Sequence, residues 1–298
     1  MVLVGPHEHH SNLLPWRESS ALVVSVPEDA RGGVDRAALA RLLERYAPVH
    51  PLVIGAFAAA SNVTGIEADV DGISEQLHRA GALAVWDYAA AAPFAPLDMN
   101  PVVMMADGSG ANPYVYKDAA LVSTHKMAGG AGAPGVLLAK RRLFSLAAAP
   151  STPGGGTVFF VTSTDHRYLS NREEREEGGT PDVVGAARAG LAFAARADML
   201  RAGGHARDRA IAARVDGALR ATPRLAVAGR VFFTKGPHDG GSGRKSHAVA
   251  STCRNSFTGS RNIGSYLPTR HAVRQHSTKP LCHHSSKRRV KTFICCPY

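Results

Sequence analysis

The sequence predicts an α/β protein: a mostly parallel sheet flanked by helices, followed by an irregular basic tail. Three observations predict it. Short apolar runs recur along residues 1–224. Segments with helical apolar spacing separate them. Beyond residue 224 the composition changes abruptly. Residues 1–224 carry 22 Lys/Arg against 23 Asp/Glu, whereas residues 225–298 carry 13 against a single acid, Asp239. The formal charge of +11 therefore sits in the tail, together with all four cysteines, Cys253, Cys282, Cys295 and Cys296. The chain divides into a near-neutral, cysteine-free domain (1–224) and a basic tail (225–298) in which no period of strand or helix is sustained.

The elements follow in order. "VLVGP" (2–6) and "ALVVSVP" (21–27) read as buried strands. Asp35 is placed to cap a helix whose apolar residues Leu39, Leu42, Leu43 and Tyr46 share one face, and Pro48 ends it. "PLVIGAFAA" (51–59) is the next strand. Asp71 is expected to open a helix with Ile73, Leu77 and Ala80 on one face, stopped by Gly81. "ALAVWD" (82–87), "AALVST" (119–124) and "GVLLAK" (135–140) are three further strands. Residues 181–200 form a long amphipathic helix with Pro181 near its start. Strands separated by crossover helices pair in parallel. Ligands then bind beyond the carboxyl ends of the strands.

Several function classes are disfavoured at this level. The longest apolar run, Leu52 to Ala60, falls far short of the ~20 residues of a membrane-spanning helix. "MVLVGPHEHH" has neither the charged start nor the long apolar stretch of a signal peptide. The cytoplasm is the expected location, or an organelle if a targeting segment precedes Met1. "PGGGT" (153–157) lacks the Lys-Ser/Thr of a nucleotide-binding loop. His125 has no spaced partners for a metal, so no metal is expected. "SSKRRVK" resembles a nucleic-acid patch, but the tail is better read as an extension unrelated to the domain; nucleic acid is not the expected partner.

The polar residues that follow the strands are the informative ones. His9 follows the first strand, Asn62 the strand at 51–59, Asp87 ends the strand at 82–87, and Lys126 follows the strand at 119–124. Each has a plainer reading: a turn residue for Asn62, a helix cap for Asp87, a surface charge for Lys126. In this order, however, "HEHHSNLLPW", "SNVTG", "WDYAAAAP", "STHKMAGGAGAPG" and "REEGGTPDVVGA" resemble the signature segments of the class V aminotransferases. These are pyridoxal-phosphate enzymes of fold type I, a group that includes cysteine desulfurases and selenocysteine lyases. The resemblance spans residues 2 to about 200.

The resemblance implies a large domain of that fold and a small-molecule amino-acid substrate handled through a lysine Schiff base. It implies that Lys126 tethers the cofactor, pyridoxal 5'-phosphate, and moves the substrate's α-proton. Asp87 would pair with the ring nitrogen, His9 would stack on the ring and Asn62 would bond its hydroxyl. Ser123 and His125 match phosphate ligands. Thr180 matches a residue that reaches the phosphate of a neighbouring subunit, so intact relatives are expected to be homodimers.

The pattern departs from the family at both ends. A Gly/Thr turn that holds the phosphate precedes the "HEHH" segment in the family, and a small domain with a substrate arginine follows the large one. The chain is expected to be truncated at both, and to bind the cofactor weakly. Residue 90 is alanine where desulfurases carry glutamine. A catalytically inactive remnant or regulatory partner is the alternative.

Overall fold

The computed structural model describes residues 1–220 and 291–296 of the chain. The strands are β1 (Val2–Val4), β2 (Val23–Ser25), β3 (Ile54–Ala58), β4 (Leu83–Asp87), β5 (Ala119–Ser123), β6 (Gly135–Lys140), β7 (Val158–Val161), β8 (His166–Tyr168) and β9 (Lys291–Cys296). The helices are α1 (His10–Arg17), α2 (Arg36–Tyr46), α3 (Val70–Arg79), α4 (Val183–Arg201) and α5 (Gly204–Arg220). Seven strands form one sheet in the order β2-β1-β3-β4-β5-β6-β9, and β7 and β8 form a separate hairpin.

The five strands β2, β1, β3, β4 and β5 run parallel, so their carboxyl ends share one edge. Only β6 runs against its neighbour β5. The link between these two strands contains a single 3-10 turn, Thr124–Lys126, and no crossover helix. Antiparallel neighbours accept such a short link, whereas parallel ones need a longer crossover.

One face of the sheet is buried and the other is covered in part, with Leu121 of β5 left exposed. Leu3, Phe57, Trp86 and Val122 pack with Leu39 and Leu43 of α2 and Ile73 and Leu77 of α3. Val2, Val4 and Ala56 point the other way, against Leu13 and Trp16 of α1. Trp86 is fully buried and its indole N–H donates to the Ser74 hydroxyl at 2.9 Å, which satisfies the one polar atom of that side chain. Ala189 and Ala192 of α4 join the first cluster. Arg196 of α4 donates to the carbonyls of Ala92 and Ala95, pinning the segment after β4.

Two local expectations are corrected, and one helix had not been expected. Asp69 caps α3, not Asp71: its carboxylate accepts from the Gly72 N–H, and the helix starts at Val70. Asp71 lies in the first turn and pairs instead with buried Lys117 at 3.2 Å. α1 carries Pro15 and is only eight residues long, so its sequence gives no helical repeat. In the tail, Lys291–Cys296 forms a strand parallel to β6, where no regular element was expected. β-branched Thr292 and Ile294 beside Phe293 favour a strand, but so short a run leaves no periodicity in the tail's composition. The remaining tail, and the expected boundary at 224/225, lie outside the described residues.

Candidate functional site

The shared edge of the parallel strands opens into a crevice of about 240 Å³, part of it open to solvent. Its walls include His9, Asn62, Asp87, Lys126 and Ala90. Each arrives there because a strand ends. β1 stops at Val4, and the turn that follows delivers His9 to the start of α1, where its Nδ1 accepts from the Ser11 N–H at 3.1 Å. That contact fixes the ring as the cap of the helix. β3 stops at Ala58 and leads to Asn62. Asp87 is the last residue of β4, and its Oδ1 accepts from the Ala89 N–H at 2.8 Å, which sets the direction of the carboxylate. β5 ends at Ser123, and the turn Thr124–Lys126 carries Lys126 to the edge, where it is exposed.

That turn is rigidly built. Thr124 is fully buried and donates to the Pro134 carbonyl across the loop. Gly130 is packed so closely on the Thr124 carbonyl that a Cβ there would lie 1.9 Å from its oxygen. The glycine-rich stretch after Lys126 therefore serves to fold the loop back under the lysine.

The other three expected site residues stand apart from the lining. Ser123 is half-buried at the end of β5, and His125 is exposed on the same turn as Lys126. Thr180 is exposed ahead of α4. One polar residue at this edge was missed in the sequence. Glu8 lies between two histidines, and its carboxyl accepts from the Ala58 N–H at 2.7 Å and from the Asn12 amide at 2.6 Å. Burial pushes its pKa up to about 7, and the nearby Asp87 charge adds to the rise against the lowering by those two donors. The available signal was a lone carboxylate in the turn that follows an apolar strand.

A family model described as "Aminotransferase class-V" matches residues 1–232, more than half of the chain. The chain belongs to the class V aminotransferase family. Its curated relatives include a probable cysteine desulfurase of Aeropyrum pernix, 36% identical over 201 residues, which cover 65% of this chain and 44% of that protein. Another, from Vibrio cholerae, is 31% identical over 189 residues, 62% of this chain and 42% of that protein. The chain thus spans less than half the length of either. Among solved structures, the cysteine desulfurase CsdA of Escherichia coli superposes with a TM-score of 0.60 at 28% identity, covering 74% of this chain and 51% of that one. A NifS-like protein of Rickettsia africae shares the fold, with a TM-score of 0.57, 19% identity, and 76% and 55% of the two chains covered.

Class V aminotransferases depend on pyridoxal phosphate. The mostly parallel sheet flanked by helices is the fold type I architecture of these neighbours. Among the described residues no helix is long and apolar enough to cross a membrane.

Proposed function

We propose that this chain forms the cofactor crevice of a pyridoxal-phosphate-dependent enzyme that acts on an amino acid. The observation that carries the reading is the convergence of an amine, a carboxylate, an imidazole and a carboxamide on one crevice at the carboxyl ends of parallel strands. That donor set fits pyridoxal phosphate: an amine for its aldehyde, a carboxylate for its ring nitrogen, a flat ring to stack on it and an amide for its hydroxyl. When bound, the cofactor supplies an electron sink for negative charge at the substrate's α-carbon.

The chain's own residues divide the remaining work. Lys126, exposed at the crevice, would tether the cofactor and take the α-proton. Asp87, oriented by Ala89, would pair with the ring nitrogen. His9, fixed as a helix cap, offers one ring face, and Asn62 a hydrogen bond. Ser123 and His125, beside Lys126, are assigned to the phosphate. Thr180, exposed outside the crevice, would complete the phosphate site of a second copy in a homodimer. Ala90 in the lining departs from the desulfurase pattern, so the reading stops at transaminase or lyase. We place the protein in the cytoplasm on its cysteine-free domain.

A second reading, a chain that keeps the fold without turnover, is favoured by one observation: Ser123, His125 and Thr180 do not line the crevice. A visible absorbance spectrum with added pyridoxal phosphate separates the two. The first reading expects a band that borohydride removes and that Lys126→Ala abolishes, with turnover of an amino acid lost in the same variant. A band without turnover supports the second. No band at all in the unaltered chain overturns the cofactor reading.

A further inference from the structure

We propose that Glu8 is a positioning residue for the cofactor crevice, acting through Asn12 on His9 and through Ala58 on Asp87. The inference rests on the reading that the crevice holds pyridoxal phosphate.

The geometry is that of a joint between three elements. Oε1 of Glu8 accepts from the N–H of Ala58, the last residue of β3. β1 has already ended at Val4, opposite Ala56, so the glutamate carboxyl continues the bonding beyond the end of that strand pair. Ala58 is the register partner of Asp87, and the Ala59 N–H donates to the Asp87 carbonyl at 2.9 Å. Oε2 of Glu8 meets the Asn12 carboxamide in the first turn of α1. The cap of that helix is His9. One carboxyl thus bridges the backbone beside Asp87 and the helix that carries His9.

The space is reserved for it. A Cβ at Gly5 would lie 2.6 Å from Oε1 of Glu8 and 3.0 Å from the Phe57 ring, so a side chain there would push the carboxyl from its place. Glu8 does not line the cofactor crevice. It faces a neighbouring crevice of about 250 Å³, part of it open to solvent, whose walls include His7, Ser61 and Glu67. His7 and Ala58 line both. Glu8 thus borders a crevice adjacent to the cofactor crevice without being part of that crevice's lining.

A group so placed can gain and lose a proton while keeping both of its hydrogen-bond partners. The Asn12 contact of 2.6 Å is short for an amide N–H donor and ordinary for a hydroxyl donor. A protonated Glu8 would donate to the Asn12 carbonyl after the carboxamide turns over, and an ionised Glu8 would accept from its NH₂. The titratable and charged groups around it are His7 and His9 on the same turn, Glu67 across the second crevice, Asp87 at the end of β4, and Lys126 beyond Asp87. Burial is the main reason the proton is held up to about pH 7, and Asp87 is the charged group that reinforces it. A proton on Glu8 leaves Asp87 as the single negative charge beside the ring-binding position.

The sign of the pH effect follows. The folded pKa, about 7, lies above the ordinary value of 4.5. The stability that Glu8 contributes is complete below pH 4.5 and is lost as the pH rises through about 7. Glu8→Gln keeps the shape and cannot ionise. In the full 298-residue chain without cofactor, the thermal midpoint of Glu8→Gln should match the unaltered chain below pH 4.5 and exceed it by several degrees above pH 7. Adding Asp87→Asn should move that transition to lower pH. Titration with pyridoxal phosphate, followed by visible absorbance, should show Glu8→Gln binding within about threefold of the unaltered chain below pH 7 and Glu8→Ala weaker by about tenfold or more. A gap between Glu8 and Gln that is the same on both sides of the window, or unaltered binding by Glu8→Ala, overturns the proposal. Failure of every variant to bind pyridoxal phosphate overturns the cofactor reading and the positioning role with it. The pH-dependent gap would then still report the Glu8–Asp87 coupling.

Discussion

Asp118 and Asp87 lie at opposite edges of one sheet, Asp118 at the amino end of β5 and Asp87 at the carboxyl end of β4. Asp118 is fully buried and every direction around it is filled. Its Oδ2 accepts from the Ala84 N–H at 2.8 Å and pairs with His78 Nε2 at 2.9 Å, and its Oδ1 takes a guanidinium N–H of Arg142. His78 is in turn stacked on Tyr116 at 3.9 Å and bonded to the Tyr114 carbonyl. Asp87 holds one side-chain bond from its own turn and faces a crevice. Both residues are carboxylates beside strand ends. The difference teaches that saturation, not residue type, separates a structural carboxylate from one available to a ligand.

The comparison breaks most visibly at Asp118. Asp118→Ala leaves His78 facing an empty position and the Ala84 N–H without its acceptor. Loss of one member of a buried, hydrogen-bonded ion cluster costs about 3 kcal/mol or more. Arg142 is half-exposed and can turn to water, which keeps the cost at the lower end of that range. An unfolding free energy from denaturant titration that falls by less than about 1 kcal/mol, at unchanged slope, would show that the cluster is not structural.

Asp87→Asn should do the reverse. The amide oxygen can still accept from Ala89, so stability should stay within about 1 kcal/mol of the unaltered chain. The negative charge is gone, so the dissociation constant for pyridoxal phosphate should rise about tenfold or more, a loss of about 1.4 kcal/mol. The pair of variants is diagnostic together. If Asp87→Asn loses stability and keeps cofactor affinity, the two edges have been assigned the wrong way round.

The edge that carries the crevice was legible in the sequence because its signals are local. An apolar run and the polar residue just past it are separated by a few positions, and the parallel topology then gathers all such residues at one edge. His9, Asn62, Asp87 and Lys126 were found that way. What escaped depends on distant partners. Glu8 is held by Ala58, fifty residues on. Asp118 gains its role from His78 and Arg142, on either side of it in the chain. Asp69 and Asp71 both satisfy the pattern of a helix cap, and only the position of the Gly72 N–H decides between them. β9 meets β6 across a long stretch of chain, which no local pattern announces.

Asp35 gives the smallest expected effect and the sharpest control, because it shares features with both aspartates. It follows β2, so it lies toward the same edge as Asp87, yet its carboxylate is committed to backbone donors, as part of Asp118's is. Its Oδ1 accepts from the N–H groups of Ala37 and Ala38, both at 2.9 Å, and its own N–H donates to the Pro27 carbonyl. It caps α2 and lines neither crevice. Asp35→Ala removes the cap from two helix donors that water can partly reclaim, which costs about 1 kcal/mol. α2 packs Leu39 and Leu43 into the core, so the helix should persist and the crevice keep its shape. Affinity for pyridoxal phosphate should therefore change by less than about twofold, well under the 1.4 kcal/mol of a tenfold effect. An Asp35→Ala chain that loses cofactor affinity as Asp87→Asn does would mean that proximity to the edge, rather than an unfilled carboxylate facing the crevice, governs binding.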